Sequence, residues 1–229
     1  MTGPDSFDVE RYRAVVRRQA VVRQCSVAML VLGSTQSDAV VDRDALGRAN
    51  VSVVRRRTGG GAVLVGPDDP LWVDVWVPRG DPLWRDDAAR AVHWVGDWWS
   101  AALAQVGFGP TEVQRTATPT DEIARFACFA GLGAGEVHRH GRKVVGVAQW
   151  RSREGALVHC AAYREWSPAP LFDLLAWKEA DLGETRRRLV EAAVGFDATD
   201  APVSRGALTL ALLDSLPDGE WDVSVEATA

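Results

Sequence analysis

Three consecutive glycines, in the segment RRRTGGGAV at residues 55–63, constrain the fold of this 229-residue chain most strongly. They follow a strand-like run at 51–56 and lead into a second extended run that ends at residue 66. Because glycine lacks a Cβ atom, such a turn can adopt positive φ and lie close against a ligand. The preceding arginines carry guanidinium groups that match phosphate or carboxylate oxygens. The segment predicts either an anion-binding loop or a flexible hairpin with a basic rim.

The loop and the composition together exclude several classes of protein. No lysine follows the glycines as in a GxxxxGKS/T phosphate loop, and the absence of a GxGxxG spacing disfavours a dinucleotide-binding fold. A net charge of −5 argues against binding nucleic acid through bulk electrostatics. With 47% apolar residues the chain can bury a sizeable core, and its length fits one large domain.

Targeting and metal-binding signals are also missing from the sequence. The longest apolar run, near residues 27–32, is too short to cross a bilayer, and the acidic N-terminus lacks a signal-peptide core. We therefore expect a cytoplasmic protein with no membrane partner. The three cysteines form no CxxC pair and are expected to be free thiols. The four histidines lack the spacing of ligands, so we predict no metal site.

Hydrophobic periodicity places most strands before most helices. Strands are predicted over 26–33, 51–56, 58–66, 71–78, 141–151 and 156–164, the last two joined by a short turn. The strand at 71–78 alternates, which predicts one buried face. Helices are predicted over 7–24, 86–108, 167–180, 183–196 and 204–216, with a loop over 109–124 and Ser204 as a candidate N-cap. This order indicates an α+β domain.

The segment GRKVVGVAQWR at 141–151 is a second chemical signal. It carries Lys143, one of only two lysines among the 26 cationic residues, and Gly146 and Ala148 leave room on one face of the strand. A compact ammonium held on a strand is suited to stabilising a developing oxyanion or an acyl phosphate. An ordinary lysine that protects a sheet edge is the alternative.

Taken together, three segments carry a family resemblance. The chain resembles the lipoate–protein ligase and octanoyltransferase family over about residues 25–165. The resemblance is carried by RRRTGGGAV, by the upstream LVLGSTQ at 30–36, and by the downstream GRKVVGVAQ-R with LVHCA. The family belongs to the lipoate/biotin protein ligase superfamily. The resemblance implies a class II synthetase-like fold, a mixed β-sheet flanked by helices. We accordingly predict an N-terminal helical segment at 1–24, a catalytic domain at 25–180 and a short helical extension at 181–229.

The resemblance also implies roles for particular residues. Lys143 would contact the acyl carbonyl and, in a ligase, the phosphate of an acyl-adenylate. Two walls would enclose the acyl and nucleotide pocket, formed by Arg56, Gly59, Gly60, Gly61 and Ala62 on one side and by Gly146, Ala148 and Gln149 on the other. The family commonly has a histidine where this chain has Val65. Trp72, Trp76 and Trp84 follow the loop and are expected to pack in the core rather than line an acyl tunnel.

Cys128 lies in ARFACFAGLGAGEV, fifteen residues before Lys143. A cysteine–phenylalanine pair at this place resembles the octanoyltransferase branch, in which the cysteine carries an acyl thioester. A thiol flanked by arginines is a fair nucleophile. A buried cysteine that packs against Phe126 and Phe129 is the alternative.

Two reactions and one inactive role follow from the resemblance. The three glycines favour an ATP-dependent ligase, in which ATP and Mg²⁺ activate lipoate or octanoate as an acyl-adenylate. The acyl group then passes to the lysine of a lipoyl carrier domain of the 2-oxoacid dehydrogenase E2 or glycine cleavage H protein type. The alternative reaction transfers octanoyl from acyl carrier protein through a thioester on Cys128, without ATP. An inactive module that binds acyl or lipoyl groups is the third interpretation.

Overall fold

Ten strands and six α-helices are present in the computed structural model, which describes residues 9–67, 69–116, 118–178, 181–199 and 202–228. The strands are β1 (Arg18–Cys25), β2 (Met29–Leu32), β3 (Ser52–Arg55), β4 (Val63–Val65), β5 (Leu71–Pro78), β6 (Glu112–Val113), β7 (Val137–Arg139), β8 (Arg142–Arg151), β9 (Gly155–Ala162) and β10 (Trp221–Thr228). The helices are α1 (Arg43–Ala49), α2 (His93–Gln105), α3 (Glu122–Phe126), α4 (Ala169–Leu174), α5 (Leu182–Ala192) and α6 (Arg205–Asp214).

The strands form two sheets. The large sheet has the order β10-β1-β5-β9-β8-β7-β6, and the small sheet has the order β3-β2-β4. Strand β1 runs parallel to β10 and β2 runs parallel to β3, whereas the other neighbours are antiparallel. Both sheets are therefore mixed, and the predicted α+β class with a mixed sheet flanked by helices is confirmed.

The molecule is layered, with the small sheet between the large sheet and a group of helices. Alternate residues of β5, among them Val73 and Val75, pack with α2 and α6 on one face of the large sheet. On the opposite face, Trp72 packs with Met29 and Val63 of the small sheet. The outer face of the small sheet is covered by α1 and α4. The prediction of one buried face for β5 is thus wrong, because a second layer covers the other face.

Most of the central elements lie where the periodicity predicts them. Each of the six predicted runs contains an observed strand to within one residue; these strands are β2, β3, β4, β5, β8 and β9. Strands β8 and β9 pair as an antiparallel hairpin. The helix predicted over 86–108 is α2, preceded by a 3₁₀ turn at Arg90–Val92, and Ser204 caps α6. The predicted loop over 109–124 also contains β6 and the start of α3. Among the described helices, none has the length and apolar character needed to cross a bilayer.

The N-terminal helix predicted over 7–24 is wrong. A 3₁₀ turn at Glu10–Tyr12 is followed by β1, which lies between β10 and β5. Arg18 and Arg23 made this stretch resemble a solvated helix face, but both side chains are buried against carboxylates, Arg18 on Asp81 and Arg23 on Asp74, each at 2.8 Å. Residues 1–8 lie outside the described part of the chain.

The helical assignment of 181–229 is correct for α5 and α6 but wrong for its end. Residues Trp221–Thr228 form β10, which pairs with β1 from Arg18↔Trp221 to Cys25↔Thr228. Helix α6 packs against α2 in the same core as the large sheet. The helix predicted over 167–180 is shorter, spanning Ala169–Leu174, and residues 179 and 180 lie outside the described residues.

Candidate active site

The glycine loop is attached to the segment that carries Cys128. Ala62 N–H donates to the carbonyl of Phe126 at 2.8 Å, and Cys128 N–H donates to the carbonyl of Ala62 at 3.0 Å. A Cβ atom at Gly61 would lie 2.6 Å from the carbonyl carbon of Ala127 and 2.7 Å from the nitrogen of Cys128. Only glycine permits this approach, so the loop and the cysteine are held together by backbone contacts.

Arg56 holds the glycine loop from inside the protein. Its side chain is 2% exposed. It donates to Thr58 Oγ1 at 2.9 Å, to the carbonyl of Val31 at 3.1 Å, and to the carbonyls of Gly59 and Gly61 at 2.8 and 2.9 Å. A guanidinium has five N–H donors, and these contacts use four of them. Arg56 therefore stabilises the loop, and most of its N–H donors are not available to bind an anion.

The segment at 33–36 supports the same loop from the other side. A Cβ atom at Gly33 would lie 2.0 Å from the carbonyl oxygen of Gly60, so these backbones are in direct contact. The Gln36 amide donates to the carbonyls of Arg125 and Phe126 at 2.8 and 3.1 Å, and its oxygen accepts from Gly33 N–H at 2.9 Å. The LVLGSTQ segment thus ties the loop to α3.

Cys128 differs from the other two cysteines in its accessibility. It begins a 3₁₀ turn directly after α3 and is partly exposed, whereas Cys25 and Cys160 are buried. Burial raises the pKa of both Cys25 and Cys160, which keeps these two thiols protonated and unreactive. The alternative of a buried Cys128 does not hold, although the side chain packs against the apolar cluster that contains Phe129.

Lys143 is buried in an ion pair next to Cys128. Its side chain is 2% exposed, so it is not a lysine on a solvated sheet edge. The Nζ atom donates to the Cys128 carbonyl at 2.7 Å and lies 2.7 Å from Glu136 Oε2. It also lies 5.5 Å from the ring centre of Phe129. Burial raises the pKa of Glu136, and the Lys143 charge opposes that rise.

A pocket of about 300 Å³ brings most of the predicted residues together. Its wall includes Gly59, Gly60, Gly61, Cys128, Lys143, Ala148 and Gln149. The wall also includes residues that the sequence did not single out, namely Glu136, Ala124, Val147 and the segments 118–120 and 131–133. Ala62 lies outside it, fully buried, and contributes through its backbone contact with the Cys128 segment.

A narrow apolar cleft continues inward from Cys128. Its lining consists of Arg56, Val63, Trp72, Cys128, Phe129, Gly146, Val147, Ala148, His159 and Ala161. A Cβ atom at Gly146 would approach the Phe129 ring to 3.3 Å, so the glycine makes room for that ring. Trp72 is a core residue, as predicted, and it also forms part of the cleft wall, whereas Trp76 and Trp84 lie elsewhere.

The floor of the cleft rests on a buried charge network centred on Asp74. Asp74 accepts from Trp72 Nε1 at 2.8 Å and from Arg23 Nε at 2.8 Å, and it lies 2.6 Å from His159 Nδ1. Burial alone raises the pKa of Asp74, but the His159 and Arg23 side chains outweigh this effect and hold the pKa below its usual value. Sequence reasoning missed this network, since Asp74 resembled the outward residue of a half-buried strand.

A larger cavity, of about 980 Å³, lies between α1, α4 and the end of β4. Val65, which replaces the family's histidine, is on its wall, but none of the predicted site residues is. Size alone therefore does not locate the chemistry. Among the described residues, the smaller pocket is the one that combines a partly exposed thiol with a buried ammonium.

The chain is similar to proteins of known function. The chain is 30% identical over 164 residues to octanoyltransferase LipM of an Exiguobacterium species, a match that covers 69% of this chain and 58% of that protein. The chain thus spans less than two thirds of the length of this relative.

Solved structures share the fold. A lipoate protein ligase from T. acidophilum with bound lipoic acid gives a TM-score of 0.72 at 17% identity, covering 100% of this chain and 86% of that one. A lipoate-protein ligase A bound with ATP gives 0.71 at 18% identity, covering 98% and 83%. The model of the lipoyl protein ligase A/B catalytic domain matches residues 22–195. This chain therefore belongs to the lipoyl protein ligase A/B catalytic domain family.

Proposed function

We propose that this protein is an acyltransferase that moves an octanoyl group through a thioester on Cys128 to the lysine of a lipoyl carrier domain. One observation carries the proposal: Cys128 is the partly exposed cysteine, and the Lys143 ammonium is bonded at 2.7 Å to its carbonyl, at one pocket. The 30% identity to an octanoyltransferase supports the same reaction.

In the first half-reaction, Cys128 takes the acyl group from a thioester donor such as octanoyl acyl carrier protein. The Cys128 sulfur bonds to the acyl carbonyl carbon, the bond from that carbon to the donor sulfur breaks, and the donor leaves as a thiol with the proton that Cys128 gave up. Negative charge develops on the carbonyl oxygen. The buried Lys143 ammonium and the loop N–H groups are suited to stabilising it.

In the second half-reaction, the carrier lysine attacks the same carbonyl carbon. A C–N bond forms, the bond to Cys128 sulfur breaks, and the amine proton returns to the thiol. The sum of the two steps converts a thioester and an amine into an amide and a thiol. Because the thioester already holds an activated acyl group, no nucleotide is needed.

The charges of the pocket also favour this route over a ligase. Among the described residues that line the pocket, Lys143 is the one cation, and Glu136 already neutralises it. A triphosphate with its Mg²⁺ ion needs several cationic or carboxylate partners that this wall does not offer. The residues therefore do not fit ATP and Mg²⁺, and the reaction that we propose uses neither.

The narrow cleft suits the hydrocarbon part of the acyl group. Its walls are formed by Val63, Trp72 and Phe129, which are 3% exposed or less. Burial of an alkyl chain there contributes about 0.8 kcal/mol per methylene. The cleft begins at Cys128, and its open volume is only about 10 Å³, so its walls must move apart before an alkyl chain on the sulfur can enter.

Two parallel incubations test the function. One mixes the protein with a lipoyl carrier domain, ATP, Mg²⁺ and either octanoate or lipoate; the other uses octanoyl acyl carrier protein without ATP. We expect the octanoyl mass shift on the carrier domain only in the second mixture, with an octanoyl adduct on the protein itself. Carrier modification in the ATP mixture alone would establish the ligase instead, and modification in neither would favour an inactive binding module.

Variants assign the residues in this assay. We expect Cys128→Ser to abolish both the adduct and the transfer, and Lys143→Ala to abolish transfer. Cys25→Ser is the matched control, because Cys25 is buried away from the pocket, and it should retain both. Transfer by Cys128→Ser at the wild-type rate would contradict the thioester route.

A further inference from the structure

Glu136 is the most constrained acidic side chain at the pocket. It is 4% exposed, yet its carboxylate lines the pocket next to Lys143. Oε2 accepts from the Gly133 N–H at 2.6 Å and lies 2.7 Å from Lys143 Nζ, and Oε1 accepts from the Val147 N–H at 3.2 Å. Two backbone donors therefore fix the carboxylate independently of the lysine.

The location of Glu136 follows from the hairpin of β7 and β8. His138 pairs with Lys143, and a register shift lies between Val137 and His138. The residue just before β7 is thereby carried across to the level of Val147 on β8. Gly133 lies in the loop before β7 and Val147 lies on β8, so the carboxylate is held both by the loop that precedes it and by the facing strand.

Lys143 depends on this carboxylate for its own position. An ammonium has three N–H donors, and the described contacts occupy two of them, with Glu136 and with the Cys128 carbonyl. The other titratable side chains near Lys143 are Arg56 behind the loop, His138 across the strand pair and the Cys128 thiol at the same pocket. Glu136 is the one carboxylate among the described residues that line the pocket.

We propose that Glu136 is a positioning residue that holds the Lys143 ammonium aimed at the acyl group carried by Cys128. The proposal rests on the proposed acyl transfer, in which the Lys143 ammonium meets the developing oxyanion. A buried ammonium without a partner is unfavourable, because desolvation penalises its charge. With Glu136 in place, the third N–H of Lys143 is available to the substrate while the ammonium remains fixed.

The composition of the chain allows a direct test that does not require activity. Lys143 and Lys178 are the two lysines, so selective carbon-13 labelling at lysine Cε gives two side-chain signals, which Lys178→Arg assigns. In Glu136→Gln at neutral pH we expect the Lys143 signal to shift and broaden while the Lys178 signal stays in place, because the Lys143 side chain loses the carboxylate that fixes it. A Lys143 signal that is identical in both proteins would overturn the proposal.

Kinetics test the positioning role in the active protein. Glu136→Gln should lower kcat by about 10²-fold while KM for the octanoyl donor stays within about threefold, because the ammonium is misplaced rather than the donor site. Formate should restore part of the lost activity to Glu136→Ala, since Glu136 faces the pocket, and chloride at equal ionic strength should not. Glu122→Gln, an exposed change on α3, is the control and should match the wild type.

The outcomes separate this proposal from the function itself. A wild-type protein that transfers no acyl group defeats the proposed function, while the lysine signals still report whether Glu136 fixes the position of Lys143. Wild-type kcat in Glu136→Gln, in an otherwise active protein, defeats the positioning role alone. Should Glu136→Gln fail to fold, Glu136→Asp takes its place in the labelling experiment, and an unchanged Lys143 signal there counts against the proposal.

Discussion

At the scale of single residues, one thiol differs from its two counterparts in exposure. Cys128 starts a turn at the pocket wall, whereas Cys25 and Cys160 lie within strands of the large sheet. The same residue type is therefore partly exposed or buried according to the element that carries it. The Cys128 turn owes its position to the backbone of the glycine loop.

We expect iodoacetamide to modify Cys128 in the native protein at least about tenfold faster than either buried cysteine, because the thiolate is the reactive form and burial suppresses it. Peptide mass spectrometry after short exposures measures the three rates. Denaturant should equalise them, which serves as the control. Labelling of Cys160 as fast as Cys128 in the native state would contradict the burial assignments.

Sequence reasoning identified Lys143 and Cys128 because each lies in a short motif with distinctive chemistry. It missed Glu136, whose place depends on the register of a hairpin. Counting outward from the turn at His140 and Gly141 pairs 138 with 143, but the register shift then changes which residue faces β8. Such a shift is not visible in the pattern of apolar residues, because one extra residue leaves the local composition unchanged.

At the scale of elements, the glycine loop contributes close backbone packing rather than flexibility. Gly61 touches the Cys128 segment, Gly60 has a φ of +96°, and Gly59 has open space where a Cβ atom would be. The three adjacent glycines therefore have three different structural requirements. Only the positions at 60 and 61 demand glycine.

This difference predicts opposite effects for two neighbouring substitutions. Gly61→Ala should destabilise the protein by about 1–3 kcal/mol and slow Cys128 alkylation or acylation, because its methyl group meets the Ala127 and Cys128 backbone. Gly59→Ala should be close to neutral. Denaturant melts and the alkylation rate of Cys128 measure both effects, and equal behaviour of the two variants would refute the packing account.

The strands with clean apolar runs could be predicted, whereas β1 could not. Its two arginines resemble exposed positions of a helix, since nothing local shows that Asp81 and Asp74 will neutralise them. Strand β10 has the alternating pattern of a strand, but Val223 and Val225 remain about half exposed. Its place beside β1 is set by pairing across the whole fold.

At the scale of the whole molecule, the network around Asp74 links four strands of the large sheet to the N-terminal turn. The partners of Asp74 come from β1, β5 and β9, and Arg23 extends the network to Tyr12 and Glu226. A buried carboxylate with several partners is costly to break, because the remaining charges lose their compensation. The network therefore stabilises both the wall of the cleft and the large sheet.

The pH dependence of stability follows from Asp74. Its pKa is lower in the folded state than the unfolded value of 3.8, so its contribution is fully present above that value and is lost as the pH falls through the folded pKa. Asp74→Asn should lower the free energy of unfolding at pH 7 by about 3–5 kcal/mol and weaken the acid dependence below pH 4. Urea titrations across pH measure this change.

The control for that experiment is Asp173→Asn, which alters an exposed carboxylate paired with Arg186 and should change stability by no more than about 1 kcal/mol. Acid unfolding that is identical in wild type and Asp74→Asn would show that the network does not govern stability.

The pairing of β1 with β10 has a consequence for biosynthesis. The two strands are separated by roughly 200 residues, which makes this one of the most distant contacts that the chain can form. A ribosome adds roughly 5–20 residues per second, so β1 waits on the order of 10–40 s for its outer neighbour. During that interval its edge carries unpaired N–H and C=O groups, which can recruit strands from other nascent chains. The hazard of aggregation is therefore concentrated in translation and ends when the last strand joins the sheet.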